Sequence, residues 1–347
     1  MGGNAIKDAA RMDKERYEYM CIKITQVLNC PYLQNRGTKH FDFKIVDAYR
    51  EKDSFGDIDV VIEVTTPDTR RKIEWALSHW PEFTFMTNNK VTMVPNGPVT
   101  SFGILGHQVD LIYEDEEHYK FACNYYSYND ICNLIGRITH KMGFKFGHDG
   151  LWYILRNGDY VVEEICITRD FNKALELFGF SSERFRQGFN NLLEIFEYIT
   201  SNQYFNPDIY LLNNRNHTAR VRDRKRKTYM AFLEHCEQQT FENPYQFKED
   251  KDEYLQMVFR KFPRFRTAHF LAEYIDKMRI QAKAILSTDV IRKHTGLDGI
   301  ELGNYIKATS SKFLKSYHWH MIVTSRTLEE VLQLMDDNYQ EFLGEGQ

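Results

Sequence analysis

The sequence predicts an α+β protein, a mixed β-sheet first and helices alone afterwards, on three observations. Short apolar runs of strand length, residues 57–64 and the pair spanning 99–113, alternate with helical patterns in the first third. A further strand-like pair, 151–155 and 160–165, is joined by Asn157-Gly158, the dipeptide that a two-residue hairpin turn favours. Beyond about residue 186 the apolar spacing is helical nearly throughout.

Taken in order, residues 13–28 predict a helix, because Tyr17, Met20, Ile24 and Val27 fall near a 3.6-residue period. Residues 57–64 form a strongly apolar strand, and Pro67 opens a helix that runs through Trp75 to about residue 80. Strands follow across 99–113, broken at Gly106, and a helix pattern returns over 130–141. With the hairpin, a small α/β unit closes near Gly179. The remaining apolar sets, such as Leu255, Val258, Phe259 and Phe262, or Leu328, Val331, Leu332 and Met335, are helical, and Thr327 with Glu330 caps the last helix. Residues 206–216 and 241–251 are the expected loops. The organisation expected is a first domain over 1–120, an α/β unit over 121–185 and an all-α domain over 186–347, with no internal repeat.

With 347 residues and 42% hydrophobic content the chain can bury sizeable cores, which excludes wholesale disorder and fibrous repeats. No run approaches the roughly 20 apolar residues of a spanning helix, and residues 1–16 are polar where a secretion signal would carry an apolar core, so no membrane partner is expected. Met1-Gly2-Gly3 lacks the Ser or Thr of a myristoylation motif, since Ile6 stands there. Six cysteines without a CxxC pair point to reduced thiols, neither a disulfide framework nor a zinc ribbon, and to a cytoplasmic location. The Asn216-His217-Thr218 sequon is a chance match in that setting. The net charge of −4 comes from the first 120 residues; within 215–227, Arg215, Arg220, Arg222, Arg224, Lys225, Arg226 and Lys227 face only Asp223. That cluster reads as a polyanion footprint or as a solvated helix.

The chemistry lies in carboxylates. In Gly56-Asp57-Ile58-Asp59-Val60-Val61-Ile62, two aspartates two apart on a strand project from one face while apolar neighbours fill the other. Carboxylates that close raise each other's pKa unless a cation compensates them, so a divalent metal with oxygen ligands is the natural partner. Asp110, within Gln108-Val109-Asp110-Leu111-Ile112, offers a third carboxylate in another apolar strand. Three such groups on adjacent strands can hold two Mg²⁺ for in-line phosphoryl transfer.

Arg50, Lys52, Asp53, Ser54, Gly56, Asp57 and Asp59 resemble the catalytic strand and preceding turn of the DNA polymerase β-like nucleotidyltransferases. The resemblance continues from Val109-Asp110-Leu111 through Glu117-His118-Tyr119, Asn124-Tyr125-Tyr126-Ser127-Tyr128-Asn129-Asp130-Ile131, Asn133 and Arg137 to Gly143-Phe144-Lys145-Phe146, similar to the palm-to-thumb junction of family X DNA polymerases. It ends in His148-Asp149-Gly150-Leu151 and Leu175-Glu176-Leu177-Phe178-Gly179 and covers about residues 40–185. It implies a nucleotidyltransferase palm, a small thumb and transfer of a nucleoside monophosphate from a (d)NTP to a nucleic-acid 3′-hydroxyl with pyrophosphate release. Asp57, Asp59 and Asp110 would be the catalytic metal ligands, for two Mg²⁺ with Mn²⁺ as a substitute. Nucleotide binding would fall to Arg50, at the triphosphate, Gly56, the sugar-lining Tyr125 and Tyr126, Asp130 and Asn133 beside the base, and Arg137 near the templating strand. Arg215, Arg220, Arg222, Arg224, Lys225, Arg226 and Lys227 would bind nucleic acid.

Three departures from the pattern carry expectations of their own. Val46-Asp47 stands where the family has Gly-Ser, and the extra carboxylate should repel phosphate. Tyr128 replaces a glycine after the aromatic pair, and Gln108 replaces an arginine two residues before the third aspartate, which affects sugar choice and fidelity. Before residue 40 there is no room for the usual DNA-binding amino-terminal domain. In the tail, Arg260, Lys261, Phe262, Arg264, Phe265 and Arg266 combine charge with stacking surfaces. Residues 295–303, with their paired glycines, are faintly similar to the tails of tRNA nucleotidyltransferases and poly(A) polymerases, or form a tight helix corner. His318-Trp319-His320 has no metal-ligand spacing. The alternatives to a DNA polymerase X-like activity are template-independent addition to an RNA or tRNA 3′ end (the CCA- or poly(A)-adding type), and a non-catalytic binding module.

Overall fold

The computed structural model describes residues 5–34, 41–64, 66–86, 91–311 and 318–344. The chain forms two compact units, residues 1–153 with 166–261, and 154–165 with 262–347.

The first unit opens with β1 (Met12–Asp13) and α1 (Lys14–Leu28). Asp13 caps α1 by accepting from the Arg16 amide at 2.8 Å, satisfying a donor that the first turn leaves open. There follow the short α2 (Pro31–Gln34), β2 (Phe43–Ile45), β3 (Ser54–Phe55), β4 (Asp57–Glu63), α3 (Pro67–His79), α4 (Pro81–Met86), β5 (Thr92–Asn96), β6 (Val99–Ile104) and β7 (His107–Glu114). Next come α5 (Glu116–Tyr125), α6 (Ile131–Lys141), β8 (Phe144–Gly147), β9 (Gly150–Asn157), β10 (Tyr160–Thr168), α7 (Phe171–Leu177), α8 (Ser182–Gln187), α9 (Leu192–Thr200), α10 (His217–Arg224), α11 (Lys227–Glu237) and α12 (Asp252–Lys261). The expected loop at 206–216 instead contains two 3₁₀ turns, Pro207–Tyr210 and Leu212–Asn214, with Tyr210 buried among aromatic rings.

Five strands make the main sheet in the order β2-β4-β7-β6-β5. Only β4 and β7 run parallel; the other neighbours are antiparallel, so the sheet is mixed. Alternation along β4 decides what each face does. Ile58, Val60 and Ile62 turn into a core shared with Met20, Ile24 and Val27 of α1 and Ile73 and Leu77 of α3. Each such side chain stabilises the fold by about 1.5–3 kcal/mol on leaving water. On the opposite face, Val61 with Ile112 of β7 packs beneath Ala122 and Cys123 of α5. Asp57 and Asp59 occupy the preceding positions of this second face.

The smaller sheet has the order β10-β9-β8, and Gly158, at φ +58°, supplies the left-handed residue of the Asn157-Gly158 turn. The domain divisions expected at 120 and 185 both fall inside the first unit. The packing shows why: α5 lies against β4 and β7, and α6 lies against α9. Of the tail expected to be one helical domain, residues 186–261 belong to the first unit.

The second unit is helical apart from the hairpin tip: α13 (Pro263–Ile285), α14 (Thr288–Thr295), α15 (Gly299–Ser311), α16 (His318–Ser325) and α17 (Leu328–Gly344). Its core gathers Ile291, Leu302, Tyr305, Trp319, Val323, Val331 and Met335. Thr327 and Glu330 form the expected reciprocal cap, at 2.9 and 3.3 Å. Gly296 ends α14 in the left-handed region, so the paired-glycine segment is a helix corner. His318-Trp319-His320 starts a helix, and Trp319 is core. Among the described residues no helix is long and apolar enough to cross a membrane.

Candidate active site

The parallel register sets Asp59 opposite Asp110 and Asp57 opposite Gln108. Because β4 and β7 are direct neighbours, the three carboxylates converge, with one ligand oxygen from each within 4.8 Å of the others. Among the described residues no other group of three His, Cys, Asp or Glu side chains does so. Burial raises the pKa of all three. For Asp59, burial and the neighbouring charges of Asp57 and Asp110 push it up to about 8. Asp59 Oδ1 is buried without a hydrogen-bond partner. A buried, unpaired carboxylate oxygen beside two more carboxylates is an electrostatic arrangement that a divalent cation relieves, and an all-oxygen donor set suits a hard ion such as Mg²⁺.

Gln108 positions the third carboxylate. Its fully buried amide donates to Asp110 Oδ1 and Oδ2 at 2.9 and 3.0 Å, while its Oε1 accepts from the Ile6 amide at 3.1 Å. In place of an arginine's charge, the site receives a neutral donor fixed by the chain's early segment.

The carboxylates Asp57 and Asp59 face a cavity of about 470 Å³. Tyr125 and Tyr126, at the end of α5, form another wall with their rings edge to face at 5.4 Å. Asp130 and Asn133 also line it, and both carry partners from the α10–α11 junction: Arg226 pairs with Asp130 Oδ1, and Arg222 donates to Asn133 Oδ1 at 3.3 Å. Lys52 contributes a cation near the carboxylates; burial lowers its pKa while the charges of Asp57 and Asp59 oppose that. Its ammonium donates to Asn129 Oδ1 at 3.2 Å and lies 4.7 Å from the centre of the Phe55 ring.

Asp47 also lines the cavity, but its carboxylate is 2.6 Å from Lys44 Nζ, so the charge expected to repel phosphate has a counter-ion. Tyr128, where the resembled family has glycine, holds φ at +57°, followed by Asn129 at +60°. Two successive non-glycine residues in the left-handed region are strained, and packing compensates: Tyr128 is buried against Phe185 and Phe189. The same backbone turns the Asn129 side chain into the cavity.

The remaining expected site residues are distributed differently. Arg50 does not line the cavity; its guanidinium donates to Asn190 Oδ1 at 2.9 Å and to the Gln187 carbonyl at 2.5 Å. Gly56 follows β3 where a Cβ would come within 3.1 Å of Arg11 Nη1, the guanidinium that holds Ser54. Arg137 is buried, with Nε and Nη2 donating to the Ile209 carbonyl, and lines a second cavity instead. The basic cluster splits. Arg215 is buried against Asp223 at 2.8 Å, Arg222 and Arg226 reach the first cavity, and Arg220, Arg224, Lys225 and Lys227 do not. Tyr229 and Phe232, which follow the cluster, are fully buried core, as is Phe265 in the second basic stretch.

Sequence reasoning missed Tyr17, whose ring stacks on Phe55 at 3.8 Å inside the cavity. It also missed the role of His148, which stacks on Tyr126 and whose Nδ1 is 2.8 Å from the buried Glu114; that contact raises its pKa. Tyr17 is visible in the sequence only as part of a helical period and His148 only as the start of the His148-Asp149-Gly150-Leu151 stretch, because each reaches the cavity through tertiary packing. The chain matches no protein-family model and no curated protein sequence.

Proposed function

We propose that this chain is a divalent-metal-dependent nucleotidyltransferase, transferring a nucleoside monophosphate from a (d)NTP to a nucleic-acid 3′-hydroxyl and releasing pyrophosphate. What supports the reading most is the convergence of Asp57, Asp59 and Asp110 on one face of a parallel strand pair, with Asp59 Oδ1 buried and unpaired. Asp57, Asp59 and Asp110 would hold the metal, which when bound neutralises phosphate charge and makes a hydroxyl a better nucleophile at neutral pH.

The chain's own groups then have defined tasks. The 3′-oxygen forms a bond to the α-phosphorus as the bond to pyrophosphate breaks, and Asp110 takes the hydroxyl proton. Gln108 keeps both Asp110 oxygens in place. The apolar faces of Tyr125 and Tyr126 flank sugar and base, while Lys52, Arg222 and Arg226 offer donors to phosphate oxygens in a cavity of nucleotide size. Breaking the Arg226–Asp130 pair frees a guanidinium and a carboxylate for the ligand.

The experiment is primer extension with Mg²⁺ or Mn²⁺ on labelled DNA and RNA 3′ ends, with and without template, against each dNTP and NTP. Extension of one polymer is expected and would assign sugar and template preference together. Nucleotide binding without extension in any combination would overturn transfer to nucleic acid and leave a binding module.

A further inference from the structure

A second cavity, of about 600 Å³, lies in the same unit, and unlike the first it has a charged lining that is cationic alone. Arg137, Lys141, Arg215, Arg222 and Lys251 line it with His140, and no carboxylate does. The fully buried Asp223 pairs with both Arg215, at 2.8 Å, and Arg222, at 3.0 Å, answering one of five positive charges. Such a concentration of like charge around a cavity costs stability unless an anion enters it.

Two details make this a formed site and not a solvated face. The Arg215 side chain is only 5% exposed, yet its Nη1 has no hydrogen-bond partner. A buried guanidinium N–H without an acceptor is unfavourable, and fixed donors of this kind suit a tetrahedral oxyanion. The first turn of α10 supplies Asn216 and Ala219 to the same wall, so the positive end of that helix adds to the field. Arg137 is fixed there by the Ile209 carbonyl.

We propose that this cavity is an anion site that takes a backbone phosphate of the acceptor strand. The strand assignment rests on the nucleotidyl-transfer reading, whereas the anion site does not. Arg222 lines both cavities, so a strand held by its phosphate in one has its neighbouring nucleotide beside the other. The charge cluster of 215–227 thus acts through inward-facing members joined by residues from α6 and Lys251, not as one continuous surface stripe. His140 offers a reporter: partial desolvation of its ring and the charges of Arg137, Arg215 and Lys141 hold its pKa below the usual histidine value, and a bound anion raises it.

The test uses the full chain without metal, so that binding is read apart from turnover. Inorganic phosphate and single-stranded DNA and RNA oligonucleotides are titrated while His140 is followed by NMR. Oligonucleotide is expected to raise the His140 pKa. The double variant Lys141→Glu/Lys251→Glu, which changes two partly exposed lining residues, should weaken oligonucleotide binding at least tenfold and flatten its salt dependence. In a separate titration with Mg²⁺ added, nucleotide binding at the carboxylates should be unchanged in the same variant. Lys141→Gln/Lys251→Gln should give a smaller loss in the same direction, which separates charge from misfolding. No movement of His140 with either ligand overturns the anion site. Movement with inorganic phosphate alone, with oligonucleotide affinity unchanged in the variants, overturns the strand assignment. A chain that binds strand at this site but never extends it sinks the transfer reading instead.

Discussion

The two cavities of the first unit are lined differently: the first mixes carboxylates with cations, whereas the charged lining of the second is cationic alone. At the first, Asp57 and Asp59 converge with Asp110 and leave one carboxylate oxygen unpaired; at the second, four other cationic side chains accompany the buried Arg215 guanidinium with its unpaired N–H. Placed against each other, these groups would have neutralised within the protein. They are kept apart in the fold, with Arg222 bordering both cavities. The difference teaches that this unit keeps uncompensated charge of both signs at separate places, at a cost to the fold by itself.

The sharpest way to break that contrast is to remove charge from one side only. Asp110→Asn keeps volume and should lower nucleotide transfer by more than about 100-fold, since even changes to groups that merely orient metal ligands cost 10–100-fold. Oligonucleotide binding at the basic cavity should be retained. Turnover near the starting rate, measured by primer extension, would dismantle the proposed site.

A second test reads the acidic side through stability. Asp59 is raised to about 8, above its ordinary value of about 4. A carboxyl raised in the folded state contributes stability that is complete below the unfolded pKa and is lost as pH rises through the folded one, here from about 4 to about 8. Thermal melts in a chelator should therefore show this term weakening toward pH 8.5, and Mg²⁺ should raise the melting temperature more at pH 8.5 than at pH 5. Asp59→Asn removes the buried negative charge at constant volume and should stabilise the metal-free chain at pH 8.5 by about 1–3 kcal/mol. A variant that melts lower there would show the carboxylate to be compensated.

The smallest expected effect concerns Asp47. Lys44→Met removes its partly exposed partner, and a pair of that exposure is worth about 0–1 kcal/mol. Stability should barely change, while KM for the nucleotide rises several-fold as the bare carboxylate faces phosphate. An unchanged KM would place the triphosphate away from Asp47.

How much of this was legible in the sequence depends on the range of the interactions. The α+β class and mixed sheet could be read because the alternation in Asp57-Ile58-Asp59-Val60 and in Val109-Asp110-Leu111 is local, and it places the carboxylates on one face. The helix α5 was not delimited, since in its Glu116–Tyr125 segment the fully buried residues are the consecutive Phe121, Ala122 and Cys123, which make no 3.6-residue stripe. Two-residue strands such as β1 and β3 are too short for any periodicity. The positions of arginines were the least legible. Arg50 and Arg137 are directed by carbonyls far along the chain, and Arg215 is turned inward by Asp223, which in the sequence looks like a lone acid in a basic run. Charge counted along a chain does not record which members fold inward.

The Ile6 amide, through Gln108, stands two hydrogen bonds from both oxygens of Asp110. The practical result concerns how the protein is produced. An affinity tag fused ahead of this segment, or a shortened version starting after Ile6, intervenes in the support of the Asp110 carboxylate. Purification handles belong at the other terminus, and nucleotide transfer compared between differently tagged preparations would report on this support as well as on the carboxylates themselves.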